Sequence, residues 1–217
     1  MTKKRVAVLI SGRGSNMAAL IGAAKDEAYP AQIVLALSNR PAAAGLASAR
    51  AVGIATAVVD HTAYGKDRER FEQAMQAELE THRIELVCLA GFMRLLTPSF
   101  VGRWQGRMIN IHPALLPAFK GLNTHKRAIQ AGTKVHGATV HFVVPEIDAG
   151  PILAQGAVTV RPDDTEAALA ARVLKVEHRI YPLALKLVAE GRVRVENGRC
   201  LIDGQPIPDT AALVPSD

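Results

Sequence analysis

The chain has 217 residues, 49% hydrophobic and 21% charged, an ordinary globular composition with enough apolar material for a sizeable core. Its formal charge of +6 favours anionic partners, but no long Lys/Arg block and no interleaved aromatic platform occurs, which argues against nucleic acid. The longest relevant apolar run, residues 86–93, falls far short of the roughly 20 needed to cross a bilayer. The run at 6–10 is too short for a secretory signal, so a soluble, cytoplasmic protein with no membrane partner is expected.

Apolar strand-like runs alternate with helix-like stretches along most of the chain. Strands are expected at 5–10, 32–38, 55–59, 86–90, 107–111, 138–143 and 152–160. Helices are expected at 16–24, 43–52, 67–82, 124–131 and 165–190, the last stopped by Gly191. A short helix should start at Thr97-Pro98, a capping residue followed by Pro at the first helical position. Residues 192–195 and 199–202, joined by Glu196-Asn197-Gly198, read as a terminal hairpin. From Asp203 a Pro-rich tail follows. This order implies an α/β fold, a doubly wound, mostly parallel sheet flanked by helices. No linker divides it, so a single domain 1–217 is expected, with 1–100 and 101–200 as its halves. The two cysteines, Cys88 in an apolar strand and Cys200 near the end, form no CxxC pair, and no metal site is expected.

In open α/β sheets, ligands bind outside the carboxyl ends of the strands, so the residues after each strand carry the functional information. The first strand runs into Ser11-Gly12-Arg13-Gly14-Ser15-Asn16 and then a helix. Glycines bring backbone N–H groups close to an anion, and the helix N-terminus adds its positive end. Neither a P-loop nor a full dinucleotide fingerprint is present, because no Gly-Lys-Ser/Thr follows and Met17 holds the third glycine position. A phosphate-binding turn is the reading, set against a turn that merely needs Gly. The fourth strand leads into Gly91-Phe92-Met93-Arg94-Leu95-Leu96, an apolar loop suited to a flat ligand and equally to core packing. The fifth ends in Asn110-Ile111-His112-Pro113. Alternation puts Asn110 and His112 on one side. The amide can donate to an oxyanion, and the imidazole can move a proton near neutral pH. Glu146-Ile147-Asp148-Ala149-Gly150-Pro151 is a turn with a carboxylate. Nothing local brings Asp148 to His112, and a turn Asp before Gly-Pro is common. His136 and His141 have no recognised metal-ligand spacing.

Taken together, these segments resemble the folate-dependent phosphoribosylglycinamide formyltransferase family. The matching pieces are Ile10 to Asn16, Leu89 to Arg94, Asn110-Ile111-His112-Pro113, Leu115-Leu116-Pro117, Gly121 to His125, Asp148 to Pro151, and Glu177-His178 with Tyr181-Pro182. The resemblance implies 10-formyltetrahydrofolate as co-substrate and the amine of 5-phosphoribosylglycinamide as acceptor, in de novo purine biosynthesis. It implies that Asn110, His112 and Asp148 are catalytic. Gly14, Ser15, Asn16 and Glu177, with Lys175 near the same ligand, would hold the acceptor phosphate. Arg68, Met93, Arg94, Leu95, Leu96, Val144, Pro145, Glu146 and Ile147 would flank the folate. Two departures stand in the loop after His112: Ala114 where Ser is frequent, and Lys120 where an aromatic is frequent. Small molecules are the expected partners, and the assembly a monomer or homodimer.

Other readings share parts of this pattern. A methionyl-tRNA formyltransferase would carry a further C-terminal domain. A formyltetrahydrofolate hydrolase would carry an N-terminal regulatory domain and have little use for a phosphate loop. A non-catalytic nucleotide-binding module would need the glycine loop but not Asn110, His112 and Asp148 together.

Overall fold

The structure, a computed structural model, describes residues 2–204. The tail expected from Asp203 therefore lies, beyond Gly204, outside the described residues. Seven strands form one sheet in the order β3-β2-β1-β4-β5-β6-β7, and β8 with β9 forms a separate two-stranded one. This is the mostly parallel, doubly wound architecture, with a terminal hairpin, that the alternation implied. The chain divides into two compact units, Met1–Asn110 with Phe142–Pro145, and Ile111–His141 with the residues from Glu146 onward.

The first unit holds β1 (Lys4–Ile10), α1 (Ser15–Ala24), β2 (Ala31–Ser38), α2 (Ala44–Ala51), β3 (Ala55–Val58), α3 (Arg68–Thr81), β4 (Leu86–Leu89), α4 (Pro98–Arg103) and most of β5 (Met108–His112). All its strand pairs are parallel, which is why a helix or long connection follows each strand. Val6 through Ile10 are fully buried, as a central strand covered on both faces requires. One face packs Ala7, Leu9, Leu35, Leu37, Phe71, Met75, Leu79 and Trp104 into a single cluster. Local chemistry sets the helix ends. Thr97 caps α4 by accepting from the Phe100 N–H, and Pro98 occupies the first turn, as expected. Asp67 caps α3 through the Arg70 N–H. A 3-10 turn at His61–Tyr64 was not expected. Asp60 starts it by accepting from Thr62, an Asx turn that carries no hydrophobic period to betray it.

The second unit holds α5 (Thr124–Gln130), β6 (Val135–Phe142), β7 (Ile152–Thr159), α6 (Glu166–Ala189), β8 (Val193–Glu196) and β9 (Arg199–Ile202). Here the pairing is antiparallel, β6 with β7 and β8 with β9. β6 begins three residues earlier than its apolar run suggested, because His136 and Gly137 are paired and buried although neither reads as strand material. α6 presents Leu169, Val173, Ile180, Tyr181, Ala184 and Leu185 to its core, a helical stripe. Pro182 sits inside it without ending it.

Candidate active site

In the first unit the chain leaves β1 at Ile10 and enters α1 through Gly14, whose φ of 76° is left-handed, a conformation glycine adopts without a Cβ penalty. Gly14 has no side chain to cap the helix, and no acidic residue occupies the first turn. The positive end of α1 is thus presented by main chain alone, the arrangement that accepts a phosphate. Ser15 and Asn16 are its first two residues. The turn has a glycine partner that the motif did not reveal. The Gly45 N–H donates to the Gly12 carbonyl at 3.0 Å. A Cβ on Gly45 would lie 2.6 Å from Ile10 Cδ1 and 3.2 Å from Gly14 Cα. Two stretches of main chain therefore touch where any side chain would separate them.

After β4 the segment 91–97 has neither helix nor strand until α4 begins. Side chains hold it. The Arg68 guanidinium donates to the Leu95 carbonyl at 2.7 Å. The Thr97 N–H donates to Glu72 Oε1 at 2.6 Å, and the Thr97 hydroxyl to Glu72 Oε2. Met93 and Leu95 nevertheless leave more than half of their surface exposed, apolar area available to a flat ring. Arg94, between them, and Leu96, after them, are half-buried, and Val144 and Pro145 follow β6 in the same unit. Arg68, placed near the folate by resemblance alone, thus meets the Met93–Leu96 loop directly.

β5 carries Asn110 and, two residues on, His112. In the second unit His112 is nearly buried, and its Nδ1 lies 3.4 Å from Asp148 Oδ2. Its Nε2 lies 3.0 Å from the Phe119 carbonyl. Both ring nitrogens thus face oxygen atoms. Asp148 is held in turn by the Gly121 N–H, which donates to Oδ2 at 2.8 Å, while His141 Nε2 stands 3.8 Å from Oδ1. Asp148 and Phe119, the two residues that face the ring, have φ of 48° and 55°. Left-handed backbone at non-glycine residues costs on the order of 1 kcal/mol each and tends to collect at functional sites.

The loop between His112 and α5 is fixed from β6 and β7. The Thr139 hydroxyl donates to the Ala114 carbonyl at 2.7 Å and accepts from the Leu116 N–H at 3.0 Å. Gln155 donates to the Leu116 carbonyl, and the Thr124 hydroxyl to the Pro113 carbonyl. Ala114 is fully buried, so a methyl side chain suffices there. Lys120 pairs with Glu146 at 3.3 Å, a use for the lysine that stands where an aromatic is frequent. Below the loop, His125 and His136 stack edge-on with centroids 5.2 Å apart. Burial lowers the pKa of both, that of His136 to about 4, with the neighbouring His125 adding to it.

Glu177 is buried on α6 and Lys175 is exposed. Two apart on a helix, they do not share a face. Two participants were not given a role from sequence, Phe119 and Gly121, which act through main chain and leave no residue-type signal; His141, weighed from sequence only as a metal ligand, stands instead beside Asp148.

A family model described as formyl transferase matches residues 4–185, and the chain belongs to that family. Within it the chain is a member of the phosphoribosylglycinamide formyltransferases. The enzyme of that name from Escherichia coli K12 is 41% identical over 203 residues, 94% of this chain and 95% of that one. The crystal structure of glycinamide ribonucleotide transformylase 1 from Symbiobacterium toebii superposes with a TM-score of 0.89 at 42% identity, covering 92% of this chain and 94% of that one. The trifunctional purine biosynthetic protein adenosine-3 of Homo sapiens is 51% identical over 198 residues, 91% of this chain. The chain spans 20% of that longer protein.

Proposed function

We propose that this protein transfers the formyl group of 10-formyltetrahydrofolate to the amine of 5-phosphoribosylglycinamide, a step of de novo purine biosynthesis, and that 1–217 acts as a single formyltransferase domain. The observation that carries the reading is the His112–Asp148 contact at 3.4 Å, at the end of the strand that also bears Asn110. The acceptor amine attacks the formyl carbon and a tetrahedral oxyanion forms. The Asn110 amide donates to that oxyanion, and His112, protonated and held by Asp148, stabilises the same charge. The bond from the formyl carbon to folate N10 then breaks, the electron pair returns to nitrogen, and the proton lost by the amine is delivered there. Asp148 keeps the imidazole oriented throughout, as carboxylates do in related His-carboxylate pairs.

The backbone at Gly14, Ser15 and Asn16 holds the acceptor phosphate, with Glu177 near the same ligand. Arg68 and the Met93–Leu96 loop, with Val144, Pro145, Glu146 and Ile147, flank the folate ring. Small-molecule partners and a formyl-folate co-substrate, without metal, complete the reading. The test supplies purified protein with 10-formyl-5,8-dideazafolate and glycinamide ribonucleotide and follows deformylated folate by absorbance. Product that requires the acceptor supports transfer. Product formed equally well without it would establish hydrolysis instead.

A further inference from the structure

Ser11 is the first residue of the glycine turn, and it is buried. Its hydroxyl donates to Asn39 Oδ1 at 2.5 Å. Asn39 is itself fully buried, with its main-chain carbonyl 2.8 Å from His61 Nδ1. A hydroxyl has one hydrogen. Committing it to Asn39 leaves the oxygen lone pairs to accept, and the Met93 N–H donates to them at 2.7 Å. The Ser11 N–H also donates to the Gly91 carbonyl at 3.2 Å. One residue of the phosphate turn thus grips the 91–97 segment at two points. That segment has no regular structure of its own until α4, so such bonds set its shape. Its far end is tied to α3 through Arg68 and Glu72, whereas its near end is hydrogen-bonded to the glycine turn through Ser11, with Phe92 packed against the core.

We propose that Ser11 is a positioning residue that couples the phosphate turn to the Met93–Leu96 loop, so that a phosphorylated acceptor and a folate-type donor bind with positive cooperativity. This rests on the proposed function, which assigns those two ligands to the two loops. When the anion orders the turn, Ser11 is fixed, and with it the main chain at Met93 that the donor meets. The donor then binds a loop already in place. By linkage, the donor must tighten the acceptor by the same factor.

The experiment titrates 5,8-dideazafolate, which lacks the formyl group and cannot react, into the full chain by calorimetry. It is done with and without saturating glycinamide ribonucleotide, and then in the reverse order. Binding of each ligand alone to the wild type is measured first, since failure of either to bind would overturn the proposed function and this inference together. With both bound, the wild type should show tightening of at least about fivefold, in the ordinary range of coupling between sites. Ser11→Ala should reduce the factor below about twofold, and Ser11→Thr, which keeps the hydroxyl, should retain it. Independent binding in the wild type, or undiminished coupling in Ser11→Ala, overturns the inference and leaves the proposed function intact. Should Ser11→Ala not fold, amide exchange at Met93 in the wild type decides. Glycinamide ribonucleotide alone should slow it severalfold, and an unchanged rate overturns the coupling.

Discussion

The turn after β1 and the cluster around His112 solve different problems with different materials. The turn is main chain: Gly14 and Gly45 pack without side chains, the Gly12 carbonyl accepts from the Gly45 N–H, and the positive end of α1 is reached through peptide groups. The cluster is side chain: an imidazole, a carboxylate and a second imidazole within 3.8 Å, held by left-handed residues. An anion of fixed shape is met well by peptide dipoles along the main chain of a turn. A charge that appears only during reaction needs groups that ionise and orient, and these come from side chains far apart in sequence. Damage to the turn should therefore appear in acceptor binding, and damage to the cluster in turnover.

The largest effect is expected at the cluster. His112→Ala and Asp148→Asn should each lower kcat by about 100-fold or more, with acceptor affinity by calorimetry little changed; near wild-type turnover in either removes that residue from the mechanism. Asn110→Ala should follow, at about 3 kcal/mol of transition-state stabilisation, read as a loss in kcat with both KM values nearly kept.

Gly45→Ala should show the opposite pattern. Its methyl meets Ile10 Cδ1 at 2.6 Å, and overpacking of this kind typically destabilises by about 1–3 kcal/mol. Its KM for the acceptor should rise more than its kcat falls, and a fall confined to kcat would erase the contrast between the regions.

The smallest effect concerns pH. His136 has its pKa lowered from 6.5 to about 4, so the folded state holds the neutral ring and the unfolded state takes up the proton first. Stability is full above pH 6.5 and declines as pH falls toward 4. Between pH 7.5 and 5 the loss attributable to this ring is about 2 kcal/mol, measurable as a shift in the urea midpoint. His136→Gln should flatten that dependence; an unchanged slope would assign the pH response to other groups.

Much of the fold was legible in the sequence. Each expected strand and helix between residues 5 and 202 occurs within a few residues of its place. The hydrophobic period, Thr97-Pro98 and Gly191 are local signals, and these mark where helices and strands fall along the chain. The 3-10 turn at His61–Tyr64 and the early start of β6 were not legible, because a side-chain cap starts one and strand pairing stabilises the other.

For the site, the sequence by itself determined the glycine turn and placed Asn110 and His112 on one side of a strand end. Periodicity and local backbone chemistry suffice for both. Only the tertiary structure decided that Asp148 faces His112 across 36 positions of chain, that Phe119 and Gly121 complete their hydrogen bonds, and that Gly45 fits against the turn. It also decided that Ser11 holds Met93. Contacts of this kind depend on loop closure and on main-chain groups that every residue carries, so residue identity alone leaves no mark of them.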